Sequence, residues 1–451
     1  MGTGSRQRWV VWRYGFRMGI DTLSVHWRLQ MFGRSLIGVA ARLSYRILGF
    51  YLVVVTGGCT LFCGAASAAD WPRFRGPGND GVSKETDWNA NWDVDGPPIV
   101  WRSEIGTGYS SVVIANGRLY TLGNDDNVET VYCLDAETGQ ERWRHSYECA
   151  IDANEFQGGP TSTPTVDQGS VFTLSRFGDL FCFEAESGEI RWKVNVADVT
   201  SIRIPGWGFS GSPWVTNGLV IVNVGDSGVA LSVIDGSLAW TSQDKDSGYS
   251  SFVPFVQDGE ERLIFGSARS YVCIDPLTGT ERWRQRWLTT FGCNAANPIV
   301  VDGQVFLSSG YNRGSALLTF KNGEPVLVWK TKDFQNQLTS SVYLDGLVYG
   351  ASGSASVGAT LACLRLIDGE VLWNAEDERV GGLTAAGKYL ITISDDGLLK
   401  VLEPDQASPK LVSQCQVFEE QCWTMPVLCN GRIYCRGAAG TLVCVDVRTT
   451  N

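Results

Sequence analysis

Histidine is almost missing from this chain: 451 residues hold two, His26 and His145. That scarcity, together with the lack of any Cys-x-x-Cys-His run, excludes a histidine-built metal cage, a two-histidine proton relay and a c-type haem. Charged residues are also sparse, at 19% against 44% apolar and 11% aromatic, which rules out a disordered chain. Beyond Cys63 no apolar run approaches the length of a membrane span. Positive charge is short too. The formal net charge is −11, and the first 69 residues carry eight Arg against one acid, Asp21. Without them 29 basic residues face 47 acidic ones, a balance of −18 that repels a phosphate backbone, so no nucleic-acid partner is expected.

Residues 1–46 are Arg-rich, Ile47 to Cys63 is almost entirely apolar, and Ala66-Ser67-Ala68 has the small residues a signal peptidase reads. Residues 1–69 are therefore expected to be a signal peptide cleaved near Ala68 or Ala69, with Met18 and Met31 as alternative starts. The rival is a retained anchor, for which a 17-residue run is short. The expected protein is exported to the periplasm or cell envelope and monomeric. Export favours disulfides. Yet Cys133, Cys182, Cys273, Cys363 and Cys444 occupy one repeated place, too far apart to pair and better read as small buried residues. Cys415 and Cys422 are the remaining candidate pair.

What the chain has in abundance is Gly (52) and Trp (17), and both recur in register. A polar start, an apolar run, a Gly-containing turn and a second apolar run appear from Tyr109, Thr161, Ser210, Asn297, Ser340 and Thr424, and the turn is Asn-Gly or Asp-Gly, the mark of a hairpin, in all but the one from Thr161. A second unit runs eleven residues from Cys133 to Trp143, Cys182 to Trp192, Ala230 to Trp240, Cys273 to Trp283 and Cys363 to Trp373. The tryptophans at 143, 192, 240, 283, 329 and 373 lie 43 to 49 residues apart, the length of a four-stranded propeller blade. A seventh unit spans about 381–412, with Leu411 in the Trp place. The eighth stops at residue 451 before its outer strand, and Pro98-Ile99-Val100-Trp101-Arg102-Ser103 has the form of that strand. The sequence thus predicts an all-β fold: an eight-bladed β-propeller over residues 98–451, closed by an N-terminal outer strand. Trp101, Trp143, Trp192, Trp240, Trp283, Trp329 and Trp373 are its structural docking residues. Residues 70–97, with Trp71, Trp88 and Trp92, read as an ordered strap on the propeller, or alternatively as a ligand cover.

These units resemble the tryptophan-docking motif of pyrroloquinoline-quinone (PQQ) repeat propellers. Eight-bladed members include quinoprotein alcohol dehydrogenases and the propeller lipoprotein of the outer-membrane barrel-assembly machinery. Asp70-Trp71-Pro72-Arg73-Phe74-Arg75-Gly76-Pro77, GWGFSGSP from Gly206 and SSGYNRGSALL from Ser308 resemble the exported PQQ-like propellers of planctomycete-type bacteria. The resemblance implies either a scaffold or an enzyme. In the enzymes PQQ sits over the funnel with Ca²⁺ held by carboxylate and amide oxygens, an Asp acts as base, and many stack the quinone on a disulfide of adjacent cysteines. No two cysteines are adjacent here. No Glu, Asn and Asp set can be assembled from the inner-strand starts, which are small and neutral (Ser110-Ser111, Thr161-Ser162, Ser250-Ser251, Ser340-Ser341, Gly381-Gly382). The bland reading of those starts is steric.

Larger groups beside those starts form the candidate channel-mouth site: Tyr109, Gln157, Arg203, Trp207, Tyr249, Asn294, Asn312, Arg313, Asn336, Gln337 and Trp423, with Asn312 and Arg313 in a hairpin of the fifth blade. Such a set suits a flat, anionic or hydroxyl-rich ligand. Its competing reading is blade packing and loop capping. His145 is expected in an outer strand, solvated. Gly225-Asp226-Ser227-Gly228 copies a serine-protease sequence but reads as a hairpin, and Gly206 to Gly211 matches a dinucleotide fingerprint without the helix it needs. The function expected is a binding or assembly platform for an envelope protein or small polar ligand, with no metal site and no cofactor. The alternatives are a PQQ-dependent dehydrogenase holding PQQ with Ca²⁺, or a carbohydrate-binding propeller.

Overall fold

Each repeat folds as one antiparallel sheet because a tight turn, Asn-Gly or Asp-Gly in six of the eight blades, reverses the chain after an inner strand of three to five residues. In the first blade Val113–Ala115 meets Arg118–Asp125 across Asn116-Gly117, both at positive φ. Val128–Asp135 and Glu141–Glu148 complete that sheet. The computed structural model describes residues 70–151, 158–242, 246–354 and 357–449. The leader expected over 1–69 and Gln157 lie outside them.

Six further blades follow in chain order, with innermost strands Thr165–Asp167, Trp214–Thr216, Val253–Gln257, Ile299–Val301, Val342–Leu344 and Gly382–Ala386. The eighth takes Val427–Cys429, Arg432–Arg436 and Thr441–Asp446 from the end of the chain and Ile99–Glu104 from its beginning. Trp101 stands opposite Cys444, as Trp143 stands opposite Cys133. The fold is the eight-bladed propeller that the repeats predict. Gly206 to Gly211 leads into the strand Trp214–Thr216, and Gly225 to Gly228 is a hairpin of the third blade.

The blades are joined at two radii. Outside, each indole donates to a carbonyl of the next blade's turn: Trp101 Nε1 to Ala136 (3.1 Å), Trp143 to Ala185 (3.0 Å), Trp192 to Val233 (2.9 Å), Trp240 to Pro276 (3.1 Å), Trp329 to Leu366 (2.8 Å) and Trp373 to Asp405 (2.9 Å). The turn glycine is the platform under the ring. A Cβ at Gly139 would lie 2.6 Å from the Trp101 ring, and Gly188 is placed the same way under Trp143. Trp283 is different. The fifth blade's outer strands Gly314–Lys321 and Glu324–Thr331 meet in a two-residue turn, and Trp283 packs on Phe320 at 5.2 Å.

Inside, backbone amides of the inner-strand starts are passed from blade to blade. Ser111 N–H donates to Thr163 Oγ1 (2.9 Å), Thr163 N–H to Ser212 Oγ (3.1 Å), and Ser212 N–H to Ser251 Oγ (2.9 Å). Ser251 N–H continues to Asn297 Oδ1 (3.0 Å) and Asn297 N–H to Ser340 Oγ (2.9 Å). The small hydroxyls therefore do more than avoid collision at the axis: they satisfy buried amides that no sheet reaches. At the closing seam the buried Arg436 spans the same gap, donating to Ser110 O, Gly106 O (3.3 Å) and Thr121 Oγ1 (3.2 Å).

Three expectations need correction. Leu411 does not hold the Trp place. Counting eleven residues from Val401 lands on it, but the turn is two residues longer, so Ser413 faces Val401 while Leu411 faces Leu402 with half its surface exposed. Ser413 Oγ donates to Ala90 O (2.7 Å), and Trp88 and Trp92 bury themselves in that seam beside Val412, Val417, Val443 and Val447. Cys415 and Cys422 are free thiols: Cys415 sits on the outer strand Lys410–Gln416, and Cys422 is buried near the axis with its Sγ toward Thr424 O and Arg436 O. His145 lies in the outer strand Glu141–Glu148, as expected, but is only partly solvated. It is half-buried in the seam against Phe181 and Phe183, both at 5.4 Å, and burial, with Lys193 nearby, lowers its pKa.

Replacing Trp143 by Ala is expected to cost about 3–5 kcal/mol in denaturant unfolding. A chain starting at Gly106 lacks the closing strand and should aggregate or lose most of its stability. A monomer with unchanged Tm would contradict closure. Trp92→Ala should cost about as much as Trp143→Ala, opening the amides of Gly382–Gln416 first in hydrogen exchange. A loss under about 1 kcal/mol would deny its part in the seam.

Candidate ligand cavity at the channel axis

The segment after Asp70 runs across the inner strands and floors the channel. Trp71 exchanges two backbone bonds with Ile114 (2.8 Å each), Pro72 O accepts from Val166 N (2.8 Å), and the Arg73 guanidinium lies 4.7 Å from the Trp214 ring. The chain then turns back on itself. Asn79 Nδ2 donates to Phe252 O, Arg75 reaches the sixth blade, and Val82–Ser83 adds a parallel strand to Gly382–Ala386. Ser83 Oγ donates to Leu428 O at 3.1 Å. The inner edges of seven blades are touched in about a dozen residues.

Above this floor lies a cavity of about 680 Å³. Phe74 and Arg75 line its base, Ser111, Thr161, Ser210, Ser212, Ser251, Asn297 and Ser340 its wall, with Arg176 on the second blade. Aromatic rings form the rim. Tyr109 stacks on Trp423 (5.4 Å, 18°), while Tyr249, Trp207, Phe291 and Tyr311 make an arch of edge-to-face contacts at 5.6, 5.8 and 5.9 Å. Phe291 (φ 62°) and Tyr311 (φ 57°) both hold left-handed backbone, and Phe291 is 72% exposed. Bulky residues take that conformation at a cost of order 1 kcal/mol or more, and such strain gathers where a side chain must be aimed. Among the described lining residues there is no Asp, Glu, His or Lys.

Of the residues singled out in the sequence, Tyr109, Trp207, Tyr249, Gln337 and Trp423 line this cavity. The other described ones lie elsewhere. Arg203 is exposed and paired with Asp246 at 2.5 Å. Asn294 is fully buried, donating to Ser267 O and Trp287 O and accepting from Ser309 Oγ. Asn336 likewise donates to Ala351 O and accepts from Ser341 Oγ. Asn312 is a turn residue at positive φ, and Arg313 lies 4.0 Å over the Trp287 ring. These asparagines and Arg313 serve the blade corners. Phe74, Arg75, Arg176, Phe291 and Tyr311 were missed; the one available signal was the aromatic-and-arginine opening Trp71-Pro72-Arg73-Phe74-Arg75, read there only as part of a strap.

The family model described as outer membrane protein assembly factor BamB matches residues 127–375, more than half of the chain. The chain belongs to this PQQ-like repeat family. Its fold is shared with BamB from Moraxella catarrhalis (17% identity, TM-score 0.58, covering 78% of this chain and all of that one). It is also shared with a europium-containing methanol dehydrogenase (14%, 0.61, 84% and 89%) and with the quinohemoprotein alcohol dehydrogenase from Comamonas testosteroni (15%, 0.58, 85% and 81%). No curated protein sequence matches the chain.

The dehydrogenase neighbours make PQQ with a metal the arrangement to test on the BamB-like chain. Ca²⁺ takes six to eight oxygens, carboxylates foremost. The described lining residues offer no carboxylate, and among the described residues no group of three His, Cys, Asp or Glu side chains is placed to hold a metal ion. Asp395 opens onto a small adjoining pocket beside Trp423, where Arg379 holds it at 2.5 Å. The metal half of that pair does not fit this lining; the guanidinium and aromatic surfaces do suit a flat anion.

Behind the wall, Glu129 is fully buried, accepting from Tyr147 O–H and from the Cys149 thiol (3.7 Å), close enough to feel the charge of Arg176. Burial dominates and pushes its carboxyl up from 4.5 to about 7. The folded state therefore binds a proton that the unfolded chain releases. Its contribution to stability is full below pH 4.5 and is lost as pH rises to about 7. Glu129→Gln should flatten that part of the stability profile, measured by thermal melts between pH 4.5 and 8.

Proposed function

We propose that the protein is an exported binding platform of the periplasm or cell envelope that holds a small, flat ligand in its axial cavity and does no redox chemistry on it. The observation that carries this reading is the lining itself: an aromatic rim over hydroxyls and two guanidiniums, with no carboxylate or imidazole among the described lining residues to act as base. Many of the hydroxyls are already engaged in holding blades together, so the aromatic rim is the larger recognition surface.

The protein loaded with PQQ and Ca²⁺ is expected to oxidise neither alcohols nor aldoses with artificial electron acceptors; turnover would establish the dehydrogenase alternative. PQQ or another flat ligand that does bind should lose roughly three- to tenfold in affinity on Trp207→Ala, read by tryptophan quenching. Arg313→Ala should leave it unchanged, since Arg313 is engaged with Trp287.

A second reading, docking of an envelope protein at the blade rims, is favoured by one feature. The outer strand Glu324–Thr331 of the fifth blade exposes Val326, Leu327 and Val328 in succession along an unpaired edge.

A further inference from the structure

The corner where the fifth blade meets the fourth gathers positive charge with no acid to answer it. The Arg313 guanidinium stands 4.0 Å from the centre of the Trp287 ring and Lys330 Nζ 5.4 Å from it, so two cations share one indole. The ring is fixed: Trp287 is buried and its Nε1 donates to Ser309 Oγ (3.2 Å). Burial first, and then the charges of Arg313 and Lys332, lower the Lys330 pKa. None of these three cations has an ion-pair partner among the described residues, and the neighbouring Asp333 accepts from Thr331 Oγ1 (3.1 Å). Arg313 Nη2 donates to Arg286 O (3.5 Å), and the other donors of that guanidinium have no partner among the described residues.

The second blade meets the first at the same corner, and there the charge is matched. Lys193 follows Trp192 as Lys330 follows Trp329, and it lies over Tyr147, four residues past Trp143 as Trp287 is four past Trp283. Asp179, the first residue of its neighbouring strand and three before the partner of Trp192, pairs with Lys193 at 3.1 Å. The matching residue of the fifth blade is Gly314, three before the partner of Trp329. Its φ is 84° and a Cβ there would strike Thr331 O, so no acid can take the place, and the residue before it is Arg313. Cations on other outer strands, Arg142, Arg282 and Lys400 among them, are paired with acids. We propose that Arg313, Lys330 and Lys332 form a second binding site, outside the axial cavity, for a phosphate-bearing anion. A phosphate brings close to two negative charges and three acceptor oxygens, enough to meet a guanidinium fork and an ammonium group together. The site stands or falls independently of the axial cavity.

The probe is inorganic pyrophosphate, titrated calorimetrically into the purified protein at low salt. It is expected to bind, with affinity falling as salt rises. Arg313→Gln and Lys332→Gln should each weaken binding roughly three- to fivefold, and the pair of substitutions roughly tenfold. Lys332 is exposed, so its variant stays informative if Arg313→Gln disturbs the Trp287 corner. Lys193→Gln, at the corner whose charge is matched by Asp179, should leave the affinity unchanged. A second arm asks what carries the phosphate. Retention on phosphatidylcholine vesicles containing phosphatidate, lost on the same two substitutions, would place it on a lipid headgroup. Pyrophosphate binding without vesicle retention would place it on a soluble ester. Absence of pyrophosphate binding at low salt, indifference to Arg313→Gln and Lys332→Gln, or an equal loss on Lys193→Gln overturns the site.

Discussion

A propeller blade cannot satisfy its own innermost amides, because the shortest strand faces the axis with no neighbour in its sheet. Everything at the centre of this protein follows from how that deficit is met. Each inner N–H is given to a hydroxyl or side-chain amide of the next blade, from Ser111 through Thr163, Ser212, Ser251 and Asn297 to Ser340. The arrangement fixes small polar residues at the axis, keeps the channel wide enough to hold a cavity, and leaves specificity to groups that stand beside the ring rather than in it.

Where the repeat falters, other parts of the chain fill the same roles. The seventh blade has a serine where the others have an indole, yet the donation persists: Ser413 Oγ reaches Ala90 O much as Trp143 Nε1 reaches Ala185 O. The apolar bulk comes from Trp88 and Trp92. The eighth blade has no turn between its third and outer strands, since these come from opposite ends of the chain, and Asn89 N–H pairs with Val447 O there. Arg436 bridges the final gap at the axis. The segment 70–97 is thus as much a part of the ring as any blade.

This pattern explains what could be read in advance. Blade number and closure by residues 98–103 were legible because eleven-residue spacing and Asn-Gly turns are local and repeat. Leu411 was misplaced because that count fails where a turn grows by two residues. That Tyr109, Trp207, Tyr249, Gln337 and Trp423 lie near the channel mouth could be read in advance, since they flank a repeated position. Arg75 belongs to no repeat, and its place on the floor depends on a path across seven blades that no spacing encodes. Asn294 and Asn336 look like recognition amides in the sequence, yet each sits beside a backbone carbonyl with no strand partner and is used to satisfy it.

The eighth blade joins Ile99–Glu104 to Thr441–Asp446, the first regular strand after the strap to the last one in the chain. During synthesis the early strand is finished long before its partner exists. The entropy of closing so long a loop grows only with the logarithm of its length, but contacts this distant in sequence form late and slowly. For that interval Ile99–Glu104 is an orphan edge, and its Arg102 and Glu104 are the charges that discourage pairing with a stranger. The ring is therefore begun at its last-completed blade, which can close only after Thr441–Asp446 has been made.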